Sequence, residues 1–332
     1  HDMHLRDISF INNNVGFCMK SHFYKDRRLD WPDPHTLFRT TNGGETWGKV
    51  AGLSDSVVTY SFCDENNGYV ASLYNSDFHW SLQKTSDAGN SWEIIREEMI
   101  KPGDLSRFPM IWDVVCTSPD TCFVLYGERS RAGTSWSYLD MTTDGGETWE
   151  RIYTSYAGDS RIPFGRISQS AEPDILWLYG HTELENAYLF GKSFAIVDVN
   201  RKTMVDFKEE IIVLGASPIG SHSGLVFVRG RDLVPGETEL RDYIFSTPDN
   251  GVTLQKVWRV PQALQYDDSL YNDLLTQSML SFTAVDEQTI WMTFSQRESD
   301  RSSTIYKLTI DPVGVDEANQ PEKPSVLSVF SP

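Results

Sequence analysis

Thr142-Thr143-Asp144-Gly145-Gly146-Glu147-Thr148-Trp149 is an octapeptide that this chain repeats. Earlier copies read Thr40-Thr41-Asn42-Gly43-Gly44-Glu45-Thr46-Trp47 and Thr85-Ser86-Asp87-Ala88-Gly89-Asn90-Ser91-Trp92. A decayed copy, Thr247-Pro248-Asp249-Asn250-Gly251-Val252-Thr253-Leu254, has Leu254 in place of the tryptophan. Asp or Asn at the third position can accept hydrogen bonds from backbone N–H groups a few residues on, which closes an Asx-type turn. The glycine of the frame (Gly44, Gly89, Gly146, Gly251) can take φ > 0 without steric cost. Trp47, Trp92 and Trp149 are then expected to start a strand and fold back over the turn. The octapeptide reads as a capped hairpin whose role is architectural.

The three tryptophans lie 45 and 57 residues apart, and Trp149 precedes Leu254 by 105, close to two such periods. A period near 50 belongs to propellers and arrays. Upstream of each box runs an alternating strand, a polar turn, then a strand led by an aromatic or apolar residue: Leu5–Phe10 before Gly16-Phe17, Val58–Phe62 before Gly68-Tyr69, Ile111–Cys116 before Cys122-Phe123. Weaker copies are Phe164–Ser168 with Ile175–Leu178, Ile212–Gly215 with Gly224–Val228, and Ser281–Val285 with Thr289–Met292. Six units of four short period-two strands, with no convincing helix, predict an all-β propeller in one domain over 1–332. The expected blades are 1–52, 53–100, 101–155, 156–210, 211–262 and 263–332, with a seventh if one unit is split. Unit four has lost its box.

Composition narrows the function. Of 332 residues, 47 are acidic and 29 basic, giving a net charge of −18, which argues against a nucleic-acid partner because phosphate binding needs a basic stripe. No apolar run approaches the roughly 18–20 residues of a membrane-spanning helix. The expected setting is secreted, periplasmic or cell-surface, with any leader removed, and the expected state a monomer. No P-loop, G-x-G-x-x-G or G-x-S-x-G frame is present, and the acidic and histidine residues lack metal-ligand spacing, so neither cofactor nor metal is expected.

The octapeptide resembles the Asp-box, or bacterial-neuraminidase repeat, of sialidase-like propellers. With its upstream strand it is most similar to the repeat of photosystem II stability/assembly-factor-like proteins. Such boxes occur in sialidases, xyloglucan hydrolases, sortilin-type receptors and non-catalytic assembly factors. The resemblance therefore implies a fold, and function must be sought at a site. It also implies that the box turns face away from the ligand side. The ligand face would then be built by loops joining the second and third strands of each blade, with the blade-to-blade connections.

Those loops hold arginines interleaved with aromatics. The first carries Arg27, Arg28 and Trp31, the second His79 and Trp80, and the third Arg129, Arg131, Trp136 and Tyr138. The fourth offers His181, the fifth Arg229 and Arg231, and the sixth Arg297. Arginine forks grip carboxylates bidentately and flat aromatics stack on sugar rings, so this face suits an acidic glycan. Exposed loops are also generally polar, and surface ion pairs have little energetic worth. Sialidases carry an F-R-I-P motif near the start of the catalytic domain; here Ser160-Arg161-Ile162-Pro163 follows the third box and lacks the Phe. The first reading is therefore a non-catalytic binding propeller for an acidic glycan or a protein partner. The alternative is a glycan-cleaving enzyme, a sialidase-like glycoside hydrolase or a polysaccharide lyase.

Four cysteines remain. Cys116 and Cys122 flank a Pro119-Asp120 turn, and strand ends facing each other there can reach the Cα separation of about 4.4–6.8 Å that a disulfide needs. A Cys116–Cys122 disulfide is expected. Cys18 and Cys63 read as buried thiols.

Overall fold

The computed structural model describes residues 3–22, 35–53, 56–74, 79–99, 107–130, 135–157, 165–170, 172, 174–179, 194–201, 203–206, 211–220, 222–230, 241–250, 253–259, 279–284, 289–295, 303–309 and 325–327. All regular structure among them is β, with no helix.

The strands follow one another in groups of four. The first group is β1 (Met3–Phe10), β2 (Gly16–His22), β3 (His35–Thr40) and β4 (Gly48–Lys49); the second is β5 (Val57–Phe62), β6 (Gly68–Tyr74), β7 (His79–Thr85) and β8 (Glu93–Met99). The third is β9 (Arg107–Cys116), β10 (Cys122–Ser130), β11 (Ser135–Thr142) and β12 (Glu150–Ala157). Then come β13 (Arg166–Gln169), β14 (Ile175–Tyr179), β15 (Phe194–Asp198) and β16 (Thr203–Asp206), followed by β17 (Ile211–Pro218), β18 (Gly224–Gly230), β19 (Arg241–Thr247) and β20 (Gln255–Arg259). The last group is β21 (Met279–Ala284), β22 (Thr289–Ser295), β23 (Ser303–Thr309) and β24 (Ser325–Leu327). Each group is an antiparallel meander, and the first two are joined into one sheet by the single pair His35↔Val57. The chain is a β-propeller.

The box turn forms as its residues dictate. In the third group Asp144 Oδ1 accepts the Thr142 hydroxyl at 2.8 Å and the Thr148 amide at 2.9 Å, while Gly146 N–H donates back to Thr142 Oγ1 at 2.9 Å. Gly146 sits at φ +105°, and Gly44 and Gly89 at +92° and +84°, which a side chain would resist. Asn42 makes the same turn without a charge, accepting from Thr40 Oγ1 at 2.9 Å and Thr46 N at 3.0 Å. Each box is also pinned to the first hairpin of its own group. Gly43, Ala88, Gly145 and Asn250 donate their amides to the carbonyls of Asn14, Asn66, Asp120 and His222. The fourth group lacks the motif but keeps this contact: Val199 N–H donates to Asp174 O at 2.8 Å, and Asp198 Oδ1 accepts Arg201 N–H at 2.8 Å. One backbone bond survives the loss of the side-chain frame.

The chain divides into two units, 1–167 and 168–332. In the first, the core lies between successive groups of strands. Phe17, Leu37, Val57 and Val70 fill one such layer, with Phe17 and Phe62 stacked at 3.6 Å; Tyr69, Trp80, Leu82, Val114 and Val124 fill the next. In the second unit Trp177, Phe194, Val226 and Tyr243 do the same. A fully buried large side chain contributes roughly 1.5–3 kcal/mol relative to exposure, so these layers dominate blade-to-blade adhesion.

The expected disulfide is absent: all four cysteines are free thiols. Cys116 and Cys122 do stand directly opposite each other, as the turn predicts. Their sulfurs are engaged elsewhere, however. Cys116 Sγ–H donates to Ser61 O on the neighbouring sheet at 3.1 Å, and Cys122 Sγ approaches Phe123 O at 3.7 Å. Backbone proximity alone does not aim two sulfurs at each other.

Candidate functional site

The repeat register brings together polar residues on the first strand of each group. Phe10, Phe62, Cys116 and Pro218 each pair with the opening residue of the following strand (Gly16, Gly68, Cys122 and Gly224). Three residues earlier stand Asp7, Thr59, Asp113 and Gly215. In β13 the amide of Ser170 bonds the carbonyl of Ile175 as Ile11, Cys63 and Thr117 bond Val15, Asn67 and Thr121, which puts Arg166 at that same position. Strands β1, β5, β9 and β17 each carry a register shift next to it. A bulge bends its strand and re-aims a side chain, and Asp7 shows the effect in its backbone at φ +48°.

Four of these residues meet in the first unit. Asp113 is 7% exposed. Its Oδ1 accepts the Thr59 hydroxyl at 2.6 Å and the Val114 amide at 3.0 Å, and its Oδ2 accepts the Ile167 amide at 2.9 Å. Arg166 places Nη1 4.0 Å from Asp113 Oδ1 and Nη2 3.6 Å from Asp7 Oδ2. Burial pushes the Asp113 carboxyl above its ordinary value, while the Arg166 charge and the hydrogen bonds pull the other way. Beneath Asp7, Tyr60 donates its hydroxyl to the carbonyls of Asp7 and Phe17, the latter at 2.9 Å, and burial pushes this phenol well up.

Exposure separates the roles available to the cluster. Asp113 is saturated by donors from the second, third and fourth groups of strands and acts as a staple. The side chains of Arg166 and Asp7 are 40% and 24% exposed. A guanidinium held between two carboxylates can take an anionic ligand, and a partly exposed carboxylate beside it can accept or deliver a proton. Sequence reading confined to loops missed this group. The available signal was the constant offset from the end of each first strand, filled by Asp, Thr, Asp and Arg where an apolar residue would be ordinary.

A second polar cluster ties β8 to β10, β11 and β12. Arg96 donates to Asp140 Oδ2 at 3.0 Å and to the Tyr126 hydroxyl at 2.7 Å; Tyr126 donates to Asp140 Oδ2 at 2.7 Å. Arg151 bonds Asp140 Oδ1 and, at 2.6 Å, the Tyr126 oxygen. The Arg96 guanidinium lies 4.6 Å from the Tyr126 ring centre and 5.0 Å from that of Trp149, and Arg151 lies 4.1 Å from that of Tyr138. With every partner satisfied, this network holds two sheets together.

Few residues of the expected loop face lie within the described structure. His79 opens β7, stacks on Tyr74 at 5.0 Å and faces Glu97 Oε1 at 3.3 Å. Trp136 is half-buried opposite Glu128 and Tyr156, and Tyr138 belongs to the arginine–aromatic network. Trp80 is a correction: it is 0% exposed, packed in the core between sheets, because β7 begins one residue earlier and alternation turns Trp80 inward. Arg129 and Arg229 lie on β10 and β18, their side chains outside the described residues; Arg27, Arg28, Trp31, Arg131, His181, Arg231 and Arg297 lie outside them altogether, as does Gly251. In the second unit a cleft of about 830 Å³ lies among the hairpin turns, between Glu172, Asp174, Asp198, His222 and Asp249. Among the described residues no group of three or more His, Cys, Asp or Glu is arranged to hold a metal ion, and no helix is long and apolar enough to cross a membrane.

No family model matches the chain, and no curated protein matches it significantly. Solved structures do. A glycoside hydrolase family 74 enzyme from Niastella koreensis aligns over 91% of this chain and 45% of its own, with a TM-score of 0.57 at 12% identity. The Trypanosoma rangeli sialidase aligns over 93% of this chain and 55% of its own, with a TM-score of 0.51 at 11% identity. An oligogalacturonate lyase from Vibrio parahaemolyticus aligns over 93% of this chain and 77% of its own, with a TM-score of 0.57 at 8% identity. The chain thus spans less than half of the hydrolase and little more than half of the sialidase. At such identities the likeness is one of fold: the chain is similar to sialidase-like and other β-propellers.

Proposed function

We propose that this propeller, built on Asp-box hairpins in six four-stranded blades, is a secreted or cell-envelope enzyme that cleaves an acidic glycan. The observation that carries the reading is the Asp7–Arg166–Asp113 group: a half-exposed guanidinium fixed between two carboxylates on the first strands of the sheets. Arg166 would receive the carboxylate of a uronate or sialate, Asp113 would hold Arg166 in place, and Asp7 would serve as the proton-transferring group. Residues of the loop face such as Trp136 would line the approach. Propeller neighbours that include two glycan hydrolases and a galacturonate lyase favour the same class. Fold likeness adds weight to that class without naming a substrate.

A second reading is a non-catalytic glycan-binding propeller. It is favoured by the saturation of Asp113, which leaves Asp7 as the more exposed carboxylate of the pair. The two separate in one experiment. Incubation with a panel of sialylated and uronate-containing glycans, followed by mass analysis of every glycan that binds, should yield shortened products. Binding without turnover would establish the second reading. Absence of binding to any glycan would sink both and leave a protein partner.

A further inference from the structure

The sheet-to-sheet contact between the second and third groups of strands holds three thiols that the proposed activity does not use. Cys63 follows the last residue of β5; Cys116 ends β9 and Cys122 begins β10. Cys116 is locked beside the end of β5, its amide donating to Ser61 Oγ at 3.0 Å and its thiol to Ser61 O at 3.1 Å. Cys63, two residues beyond Ser61, packs against the core layer that contains Cys116 and Cys122. Cys63 Sγ–H donates to the Asn67 carbonyl at 3.5 Å, and its sulfur is an electrostatic neighbour of the Cys116 thiol. Accessibility is unequal: Cys63 is half-buried, while Cys116 and Cys122 are buried. Interaction with Cys116 lowers the Cys63 thiol, whereas burial pushes Cys116 and Cys122 well up. One sulfur can therefore meet a reagent from solvent, while Cys116 is held at the same strand end two residues away.

We propose that Cys63 and Cys116 form a redox-active pair that closes, on reaction with a low-molecular-weight disulfide, into a cross-link between two neighbouring blades. The Cys63 thiolate attacks one sulfur of the reagent disulfide, forming a mixed disulfide and releasing one thiolate. Cys116 then gives its proton to that thiolate and attacks Cys63 Sγ, releasing the second half of the reagent as a thiolate that takes from solvent the proton Cys63 lost on ionising. Two protein thiols are oxidised by two electrons, and one reagent disulfide is reduced to two thiols. Cys122, buried and directed to its own strand, stays reduced.

The test uses the intact chain and oxidised glutathione. After reaction, free thiols are alkylated in denaturant and the protein is digested with a protease that cuts before Asp120, which separates Cys116 from Cys122. The thiol titre should fall from four to two, and the cross-linked peptide should join Cys63 to Cys116. Cys122→Ser should keep this cross-link and Cys63→Ser should abolish it. Cys63 lies at a half-buried turn, so that variant is expected to fold, and circular dichroism checks it. A Cys116–Cys122 or Cys63–Cys122 linkage, a glutathione adduct that persists on Cys63, or four unreacted thiols would each overturn the proposal.

Discussion

Asp113 gives the sharpest perturbation. In Asp113→Ala the Thr59 hydroxyl and the amides of Val114 and Ile167 lose their shared acceptor in a site that is 7% exposed. A buried polar group left without a partner costs about 1–3 kcal/mol. The full sum over three donors is not expected, because water can enter the vacated volume and the unfavourable burial of the carboxylate is relieved. The net loss should be about 2–3 kcal/mol, from the unpaired donors less that relief. Asp113→Asn, which keeps the shape and one acceptor, should lose about 1–2 kcal/mol. Asp7→Ala gives up a 3.6 Å contact at a partly exposed carboxylate and should lose under about 1 kcal/mol. Urea titration followed by tryptophan fluorescence resolves these values: with a slope of about 3 kcal/mol per M, Asp113→Ala should lower the midpoint by about 0.7–1 M. A midpoint for Asp113→Ala equal to that of Asp7→Ala would refute the staple.

Three further outcomes follow from the box turns. The Asp87 carboxyl is held down to about 2 by hydrogen bonds from Ser91, and Asp144 and Asp249 are lowered by bonds from Thr148 and Thr253. A depressed folded-state value gives stability that is present above the unfolded value of about 3.9 and is lost as pH falls toward about 2. The melting temperature should therefore drop over that window, and the Asp87→Asn/Asp144→Asn double variant should flatten the drop; an unchanged slope would contradict it. Asp113, raised by burial, acts with the opposite sign and offsets part of the fall. Ala88 occupies φ +64° where Gly43 and Gly145 stand in the sister boxes, so Ala88→Gly should gain about 0.5 kcal/mol in the same urea assay. Trp92 donates its indole N–H to Ala51 O at 3.1 Å and meets Phe62 edge-on, so Trp92→Ala should lose about 2 kcal/mol while glycan affinity of the folded fraction stays unchanged.

What the sequence disclosed was whatever rests on local chemistry. The Thr–Asp–Gly–Trp frame specifies its own turn through bonds spanning two to four residues, so three boxes and the strands around them could be read directly. The fourth group hid its turn, since the surviving feature is the Val199–Asp174 backbone bond, which has no side-chain signature. Trp80 was misassigned because a one-residue difference in where β7 starts moves a side chain from a loop to the core. The Cys116–Cys122 pairing in register was legible, but the direction of the two sulfurs depends on Ser61, which lies 55 residues away in sequence. Asp7, Asp113 and Arg166 escaped notice for a related reason. Their common offset is visible in sequence, but only strand bulges and the packing of separate sheets turn that offset into contact.

If Arg166 and Asp7 act on an acidic sugar, their substitution must change the turnover rate of a glycan from the panel, measured for the wild-type chain, Asp7→Asn and Arg166→Gln after circular dichroism has confirmed the fold of each. Loss of a proton-transferring carboxylate should slow Asp7→Asn by about 10²–10⁴-fold, with KM little changed. Arg166→Gln should instead raise KM for the acidic glycan and remove the preference over its carboxyl-reduced form. Wild-type turnover by both variants would exclude Arg166 and Asp7 and place the chemistry elsewhere on the propeller.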